Sequence, residues 1–216
     1  MNELNLITLT EPRSAAAEAY RALRMNLAFT SLDKPLECLV VSSPAPNATK
    51  SHLAANLAVV MAQSEQRVIL ADADLRRPEL HELFGVAQEP GITDVMLRQQ
   101  LGEIPLHDTD VPRLQVLTSG ALPPNPADIL DSQKMRDLLA KLREMADVVI
   151  LDAPPVTVAV DASVLAAHTD GLLLIVRAGH SRRDRITQAK ELLDRFRVRL
   201  LGAVLTDAQE GGLTGY

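Results

Sequence analysis

The chain has 216 residues, 47% of them hydrophobic and 23% charged, which is the composition of a soluble globular protein of one domain. The net charge of −6 and the absence of Trp argue against a nucleic-acid-binding protein. No apolar run approaches the roughly 20 residues that span a bilayer, and the first residues, MNELNLITLTEP, do not resemble a signal peptide. The only cysteine, Cys38, has no partner for an internal disulfide, so we expect a cytoplasmic protein.

Apolar strands and helices alternate along the chain. The predicted helices cover residues 14–29, 51–63, 132–146 and 183–197, and the predicted strands cover residues 37–42, 67–72, 113–118, 147–155, 171–179 and 199–207. Ser132 is the predicted N-cap of the third of these helices. The strands are continuously apolar rather than alternating, which indicates burial of both faces. We therefore predict an α/β fold in which helices flank a mostly parallel sheet, as one domain over residues 1–216.

The stretch VVSSPAPNATKSHLAANLAVV, residues 40–60, has the layout of a phosphate-binding loop: a strand, a short loop, and Lys50-Ser51 at the start of a helix. A helix N-terminus presents backbone N–H groups and a favourable dipole to phosphate. The consensus G-x-x-x-x-G-K-[ST] would place glycines at Pro44 and Thr49, and neither is glycine. A left-handed conformation at Thr49 would cost roughly 1–2 kcal/mol. A solvated helix cap is the alternative interpretation of the Lys-Ser pair.

Acidic residues follow two further strands. Asp72 and Asp74 come after RVILA, and Asp152 comes after DVVIL. Ligands of parallel sheets bind beyond the carboxyl ends of the strands, and carboxylates placed together there repel one another unless a cation lies between them. An acidic residue after an apolar strand, with Lys-Ser upstream, is the arrangement that holds the Mg²⁺ of a nucleotide. The alternative for these residues is helix capping, with an ion pair from Arg76 or Arg77.

These residues, with longer runs around them, resemble the cytoplasmic bacterial tyrosine kinases of capsule and exopolysaccharide biosynthesis. The matching runs include EAYRALRMN, VILADADLRRPELHELFG, GITDVM, LQVLTSGALPPNPADIL, VVILDAPPV, DASVLAAHTDGLLLIVRAG and LGAVL, and they cover nearly the whole chain. The segments DADLRRP and SGALPPNP are rather specific to this family. The resemblance implies the P-loop NTPase architecture with a deviant phosphate loop, and phosphorylation of tyrosine mainly on the chain's own C-terminal tail.

The resemblance also implies cofactors and residue roles. It implies that ATP and Mg²⁺ bind, that Lys50 acts at the phosphates, and that Ser51, Asp72 and Asp152 organise Mg²⁺. Asp74 would position or deprotonate the attacking tyrosine hydroxyl. The implied nucleotide-contacting residues are Pro46, Asn47, Ala48, Thr49, Lys50, Ser51, His52 and Thr206.

Assembly and partners follow from the same resemblance. Glu18, Arg21 and Arg24 match the family's E-x-x-R-x-x-R motif, which is used for ring assembly, so residues 1–33 are expected to be a helical oligomerisation segment. The alternative is a solvated charged helix face. The family's partner is a membrane-anchored polysaccharide co-polymerase or activator, which implies recruitment to the inner face of the membrane.

The chain departs from the family at several positions. The family loop reads S-x-x-P-G-E-G-K-S, and here Asn47, Ala48 and Thr49 replace Gly, Glu and Gly. Thr206 replaces an adenine-contacting Asn. The family's tail usually holds a tyrosine cluster, whereas residues 207–216, which we expect to be a flexible tail, contain only Tyr216, the candidate phosphoacceptor.

Two functions therefore stand as hypotheses. The first is an ATP-dependent protein-tyrosine autokinase that regulates polysaccharide polymerisation and export. The second is a weakly active or inactive family member that acts as a regulatory or assembly module for the membrane co-polymerase. A partition-type ATPase is disfavoured because Ala45 replaces its early signature lysine, and a Rossmann dehydrogenase is disfavoured because no G-x-G-x-x-G follows the first strand.

Overall fold

The computed structural model describes residues 5–30, 35–47 and 49–208, and a seven-stranded sheet forms the centre of this part of the chain. The strands are β1 (Cys38–Ser42), β2 (Val68–Asp72), β3 (His107–Asp108), β4 (Leu114–Leu117), β5 (Val148–Asp152), β6 (Leu172–Arg177) and β7 (Leu200–Thr206). Their order across the sheet is β3-β4-β2-β5-β1-β6-β7, and every neighbouring pair is parallel except β3 and β4. The predicted α/β architecture with a mostly parallel sheet is confirmed.

Helices flank this sheet. They are α1 (Ile7–Thr10), α2 (Ala15–Phe29), α3 (Lys50–Ala62), α4 (Leu80–Phe84), α5 (Ile92–Leu97), α6 (Pro126–Leu130), α7 (Gln133–Met145), α8 (Asp161–Ala166) and α9 (Arg183–Arg195). The predicted cap at Ser132 is confirmed, because its Oγ accepts a hydrogen bond from the backbone N–H of Met135 at 3.1 Å. Such a cap stabilises a helix by about 1 kcal/mol. Within the described segments no helix combines the length and the apolar character that crossing a bilayer requires.

The core lies on both faces of the sheet. Along β1, Cys38 and Val40 pack into one apolar cluster, while Leu39 and Val41 pack into the other. Helix α3 lies within the second cluster, and His52 is its one residue that is not buried. The continuous apolar strands thus have two buried faces, as their sequence predicts. This packing fixes the start of α3, and with it Lys50, against the sheet.

Several elements differ from the prediction. The strand predicted over residues 147–155 ends at Asp152, because the following Pro154 and Pro155 have no backbone N–H to donate to a neighbouring strand. Strand β3 has two residues, and helices α1, α4, α5, α6 and α8 have four to six, so none is long enough to show a hydrophobic period. The middle of the chain is therefore more ordered than its sequence indicates.

The predicted N-terminal segment packs onto the rest of the fold. The backbone N–H and hydroxyl of Thr8 both donate to the side-chain oxygen of Asn56 in α3, at 3.0 and 2.8 Å. Of the predicted tail, residues 207 and 208 are described, while 209–216, including Tyr216, lie outside the described residues. The prediction that residues 1–216 form one domain with an assembly segment at 1–33 stays a prediction.

Candidate functional site

Three of the predicted site segments meet at the carboxyl edge of the sheet. Strands β2, β5 and β1 are neighbours, so their carboxyl ends lie side by side. Asp72 and Asp152 are direct partners in the parallel register of β2 and β5, and Asp152 is also paired with Val41 of β1. The loop that leads into α3 starts from this same edge. These segments are distant in sequence but together line one crevice, as expected for a parallel sheet.

The loop before α3 is closed by its own side chains. The Asn47 side-chain oxygen accepts hydrogen bonds from the backbone N–H of Thr49 at 3.0 Å and from its hydroxyl at 2.8 Å. Thr49 has φ −96° and ψ −4°, on the right-handed side of the conformational map. The left-handed strain considered for Thr49 in place of glycine is therefore absent from this conformation. Ala48 lies outside the described residues.

Hydrogen bonds tie this loop to the segment after β5. The Ser42 hydroxyl donates to the Pro154 carbonyl at 2.7 Å, and the Thr157 hydroxyl donates to the Pro44 carbonyl at 2.7 Å. The backbone N–H of Val156 also donates to the Ser43 carbonyl at 2.8 Å. The loop after β1 and the loop after β5 consequently form one connected wall of the crevice.

Lys50 points into the carboxylates. Its Nζ lies 2.5 Å from Asp152 Oδ1 and 3.5 Å from Asp74 Oδ2, and it also donates to the Ser51 hydroxyl at 3.4 Å. The residue is only 5% exposed. Burial alone would lower the pKa of Lys50, but the charges of Asp152 and Asp74 outweigh burial and raise it. The ammonium group therefore stays charged and neutralises the acidic cluster.

Asp72 and Asp152 each present an unpaired oxygen. Asp72 Oδ2 accepts hydrogen bonds from the backbone N–H groups of Glu79 and Leu80, at 3.0 and 2.9 Å, while its Oδ1 has no partner. Oδ2 of Asp152 also lacks a partner, and both side chains are fully buried. Burial, and then the charge of Asp152, raises the pKa of Asp72 well above its ordinary value. Two orphaned carboxylate oxygens on paired residues of neighbouring strands are what a cation would satisfy.

Asp74 lies beside Lys50, and its neighbours fix it there. Its Oδ1 accepts the backbone N–H of Arg77 at 3.1 Å. Burial raises the pKa of Asp74, although the Lys50 charge opposes that shift. Backbone N–H groups of the following loop therefore hydrogen-bond one carboxylate oxygen of Asp72 and one of Asp74, as the capping alternative expects. The alternative ion pair with Arg76 is not formed, because Arg76 binds a different carboxylate.

That carboxylate is Asp161, which the sequence did not indicate. Arg76 Nε and Nη2 donate to the two oxygens of Asp161 at 2.8 and 3.1 Å. Asp161 is fully buried at the start of α8, 85 residues away in sequence. No local pattern around residue 161 distinguishes it from an ordinary helix-start acid. Only the tertiary structure identifies this pair.

Two cavities lie on either side of the loop. A cavity of about 550 Å³ contains Lys50 and Asp74. Its full lining is Pro46, Asn47, Lys50, Asp74, Arg76, Arg77, Glu79, Pro154, Pro155 and Val158. A second cavity, of about 760 Å³, lies between α2, the start of α3 and the end of β7. Thr49, His52 and Thr206 are among the residues that line it, and the hydroxyls of Thr49 and Thr206 lie 3.4 Å apart. Lys50 and Asp74 therefore line one cavity and Thr49, His52 and Thr206 line the other, whereas Ser51, Asp72 and Asp152 line neither.

The predicted assembly motif lies apart from these cavities. Arg21 Nη1 lies 2.9 Å from Glu18 Oε2, and its Nη2 donates to the Pro12 carbonyl at 2.5 Å. Glu18, Arg21 and Arg24 all lie on α2, and the structure does not bring them to the carboxylate cluster. The neighbouring Tyr20 is half-buried, packs against the core and lines the larger cavity. Its position in a cavity was not predicted from the sequence.

Comparison with known proteins identifies similar sequences over most of the chain. A family model described as "ParA: NUBPL iron-transfer P-loop NTPase" matches residues 36–206. The tyrosine-protein kinase YwqD of Bacillus subtilis is 39% identical over 93% of this chain and 85% of its own length. The tyrosine-protein kinase ptk of Acinetobacter johnsonii is 36% identical over 93% of this chain, which spans only 27% of that protein's length.

A solved structure agrees with these matches. The kinase domain of the Escherichia coli tyrosine kinase ETK superposes with a TM-score of 0.87 at 31% identity, covering 98% of this chain and 84% of that one. Fold and sequence thus lead to the same family.

Proposed function

The chain belongs to the bacterial tyrosine-protein kinases within the P-loop NTPases, and from this premise we propose that it is an ATP-dependent protein-tyrosine autokinase that regulates capsule or exopolysaccharide polymerisation and export. One observation carries the proposal. Lys50, Asp74, Asp152 and Asp72 meet at the carboxyl edge of the sheet, beside the start of α3. Phosphoryl transfer depends mainly on positioning and on charge stabilisation, and this cluster supplies groups for both.

Lys50 and Ser51 form the phosphate end of the proposed site. Lys50 leaves Asp152 and donates to the β- and γ-phosphate oxygens, while the backbone N–H groups at the start of α3 bind the remaining oxygens. The loop residues Pro46, Asn47, Ala48 and Thr49 surround the phosphates. Because Asn47 now caps Thr49, the loop must open these bonds for phosphate to approach.

Asp72, Asp152 and Ser51 fit a magnesium ion. The two orphaned carboxylate oxygens and the Ser51 hydroxyl are hard oxygen ligands, and Mg²⁺ is usually bound by one or two carboxylates together with substrate phosphates and water. Within the described residues no group of three or more acidic, His or Cys side chains forms a complete metal cage. The ion would therefore bind together with the nucleotide, and it would neutralise charge on the phosphates.

Asp74 is the residue proposed to act on the acceptor. Burial raises its pKa above the ordinary value for Asp, which makes it a stronger base toward a tyrosine hydroxyl. Lys50 is its nearest cation in the described structure. When Lys50 moves to phosphate, Asp74 loses this partner and becomes a stronger base. Asp74 then orients the hydroxyl in line with the γ-phosphate.

Thr206 and His52 are proposed to contact the nucleoside end. Thr206 ends β7 next to Thr49, and His52 is the exposed residue in the first turn of α3. The Thr206 hydroxyl is shorter than the family's Asn side chain and offers one donor instead of two. A direct contact to the base is therefore weaker here.

Assembly and membrane recruitment are proposed from the family. We infer a ring in which Glu18, Arg21 and Arg24 of one subunit contact the next, together with a cytoplasmic location where a membrane-anchored co-polymerase recruits and activates the ring. Arg21→Ala/Arg24→Ala protein should then shift from oligomer to monomer in light scattering. A wild-type monomer at high concentration, with nucleotide and activator present, would remove the support for a ring.

A second function is favoured by one specific feature. In the described structure the Lys50 ammonium is held by the carboxylates, and Asn47 closes the loop on itself. A chain locked in this state would act as a regulatory or assembly module for the co-polymerase without turnover. The proposed autokinase function requires this closed state to open when Mg-ATP binds.

Phosphate transfer to Tyr216 distinguishes an autokinase from a non-catalytic regulatory module. Lys50→Ala protein, inactive but with its tyrosine, is mixed with active Tyr216→Phe protein, Mg-ATP and a fragment of the membrane activator. An autokinase that acts between subunits places phosphate on Tyr216 of the Lys50→Ala chains, as measured by mass spectrometry. The same mixture with Asp74→Ala/Tyr216→Phe as the second protein is the matched control, and it should give no phosphate. If no phosphate is found in any mixture, the non-catalytic function is the correct one.

A further inference from the structure

We propose that Arg76 is a catalytic residue that contacts the transferring phosphoryl group, and that the buried carboxylate of Asp161 is the residue that positions it. This inference rests on the proposed kinase function and adds two residues to its site. In the transfer, the tyrosine oxygen forms a bond to the γ-phosphorus, while the bond between that phosphorus and its bridging oxygen breaks. The electron pair of the broken bond stays on ADP, and the tyrosine proton goes to Asp74.

This step requires positive charge around the transferring group. The negative charge of that group is spread over its equatorial oxygens, and donors that are fixed there beforehand need no rearrangement during the reaction. The loop before α3 offers one cation, Lys50, because Ala45 occupies the position where partition-type ATPases carry a further lysine. A second cation is therefore expected from another segment of the chain.

Arg76 lies where such a cation would act. It lines the cavity of about 550 Å³ that also contains Lys50 and Asp74. The hydrogen bonds from Arg76 to Asp161 raise the pKa of its guanidinium, and the charge of Asp74 raises that pKa further. Arg76 is thus close enough to the proposed base to interact with its charge. A phosphoryl group held between Lys50 and Asp74 would have the Arg76 guanidinium beside it.

The ion pair with Asp161 leaves one edge of the guanidinium free. Arg76 donates to Asp161 through Nε and Nη2, at 2.8 and 3.1 Å, and its Nη1 has no hydrogen bond within the described residues. A guanidinium carries more N–H donors than this contact uses. Asp161 is fully buried, and a two-point contact fixes both the place and the direction of the arginine. The remaining donors are therefore oriented before a nucleotide binds.

The segment that carries Arg76 is itself fixed by the carboxylates that precede it. Asp74 Oδ1 accepts the backbone N–H of Arg77 at 3.1 Å, and Asp72 Oδ2 accepts that of Leu80 at 2.9 Å. Arg77 lines the same cavity, but its side chain has no hydrogen bond or ion pair among the described residues. Of these two neighbouring arginines, the structure thus holds Arg76 in one orientation and leaves Arg77 unrestrained.

Aluminium fluoride tests the role of Arg76, because with Mg-ADP it occupies the place of the transferring phosphoryl group. Calorimetry measures how tightly ADP binds with and without the fluoride. Wild-type protein should bind ADP about 100-fold more tightly with it. Arg76→Lys should lose most of this gain and bind ADP alone like the wild type, because a lysine has one point charge and cannot contact Asp161 and the phosphoryl group together.

Two further variants complete the test. Asp161→Asn should reduce the gain by about tenfold, because a donor displaced by about 1 Å is less effective in a reacting complex. This variant leaves no buried charge unpaired, so it answers the question if Arg76→Lys does not fold. Arg77→Ala is the matched control and should keep the whole gain. In phosphate transfer to Tyr216, Arg76→Lys should lower kcat by about 100-fold and leave KM for Mg-ATP unchanged.

The outcomes separate this inference from the proposed function. If wild-type protein neither binds Mg-ADP nor transfers phosphate, both are overturned. If it does both, but aluminium fluoride gives no gain or Arg76→Lys and Asp161→Asn keep the gain, only the roles of Arg76 and Asp161 are overturned. Loss of the gain in Arg77→Ala instead would assign the contact to Arg77. If Arg76→Lys weakens the binding of ADP alone by as much as binding with the fluoride, Arg76 contacts the ground state, and the catalytic role is wrong.

Discussion

At the scale of single residues, the central feature is that Lys50 supplies the positive charge of the buried carboxylate cluster. Its ammonium group contacts Asp152 and Asp74, and the neighbouring Asp72 keeps an orphaned oxygen. Three carboxylates this close repel one another unless a cation lies among them. Lys50 is that cation in the structure. In the proposed exchange, Lys50 and a metal ion compete for the negative charge of these carboxylates, so we expect metal binding to strengthen when Lys50 moves to phosphate.

Replacing Lys50 tests this exchange. Lys50→Met should raise the affinity of the nucleotide-free protein for Mn²⁺ by about tenfold or more, because the acidic cluster loses its internal cation. The signal of free Mn²⁺ in electron paramagnetic resonance measures the binding. Lys190→Met, which removes an exposed lysine paired with Asp194, is the matched control and should not change it. Equal Mn²⁺ affinities for Lys50→Met and wild-type protein would refute the exchange.

The ionised Asp72 side chain should lower the free energy of unfolding when no metal is bound. Its pKa is raised in the folded state, so the folded protein holds the proton more tightly than the unfolded chain, and stability falls as pH rises above the ordinary Asp pKa of about 3.9. Asp72→Asn should therefore unfold at a higher temperature than the wild type near pH 7, and the difference should vanish near pH 3. Each unit of pKa shift corresponds to about 1.4 kcal/mol.

Calorimetric melting over this pH range measures the effect. The same variant should lose the additional stabilisation that Mg²⁺ gives to the nucleotide complex, because one metal ligand is gone. A variant that melts below the wild type at pH 7 without metal would show that Asp72 stabilises the fold, contrary to this account.

At the scale of elements, the Arg76–Asp161 ion pair joins the loop after β2 to the start of α8. Asp161 is fully buried, while the Arg76 side chain is 42% exposed at the wall of the smaller cavity. The pair links the segment that carries Asp74 to the segment after β5. Removing Arg76 leaves a buried carboxylate without its cation, which is among the most destabilising changes that a single substitution makes.

Arg76→Ala should lower the free energy of unfolding by about 3 kcal/mol, the lower end of the range for a broken buried pair, because Arg76 is partly exposed. The adjacent Arg77→Ala is the matched control, since the side chain of Arg77 has no ion pair among the described residues, and it should change stability by less than about 0.5 kcal/mol. Urea unfolding at constant m-value measures both. Equal effects of the two substitutions would mean that the Arg76–Asp161 ion pair does not contribute to the free energy of unfolding.

At the scale of the whole molecule, the fold was predictable from the sequence because continuous apolar runs indicate strands with two buried faces. The meeting of Asp72, Asp152 and the loop before α3 followed from the rule that parallel strands end at one edge. The Arg76–Asp161 pair was not predictable, because its partners are distant in sequence and each resembles a surface residue. The contacts of the Lys50 ammonium were not predictable either, because the partner of a flexible side chain depends on which groups the folded structure brings near it.

The lining of the larger cavity shows the same limit. The helical spacing of the sequence predicts that Ala15, Ala19, Ala22 and Leu23 share one face of α2, and such a face normally packs against a core. Ala22 is exposed, and the other three line the cavity. In the structure this face borders an open cavity beside β7. Sequence periodicity identifies a face but not what lies opposite to it.

The central claim is that this chain binds Mg-nucleotide although its loop lacks the family's glycines. Isothermal titration calorimetry with Mg-ATP and Mg-ADP tests it most directly, on the wild type and on Asn47→Gly/Thr49→Gly protein. We expect one nucleotide per chain, Mg²⁺ dependence in both proteins, and about tenfold tighter binding to the glycine variant, because Asn47 then no longer closes the loop on Thr49. No binding heat in either protein, with both shown to be folded by circular dichroism, would contradict the account.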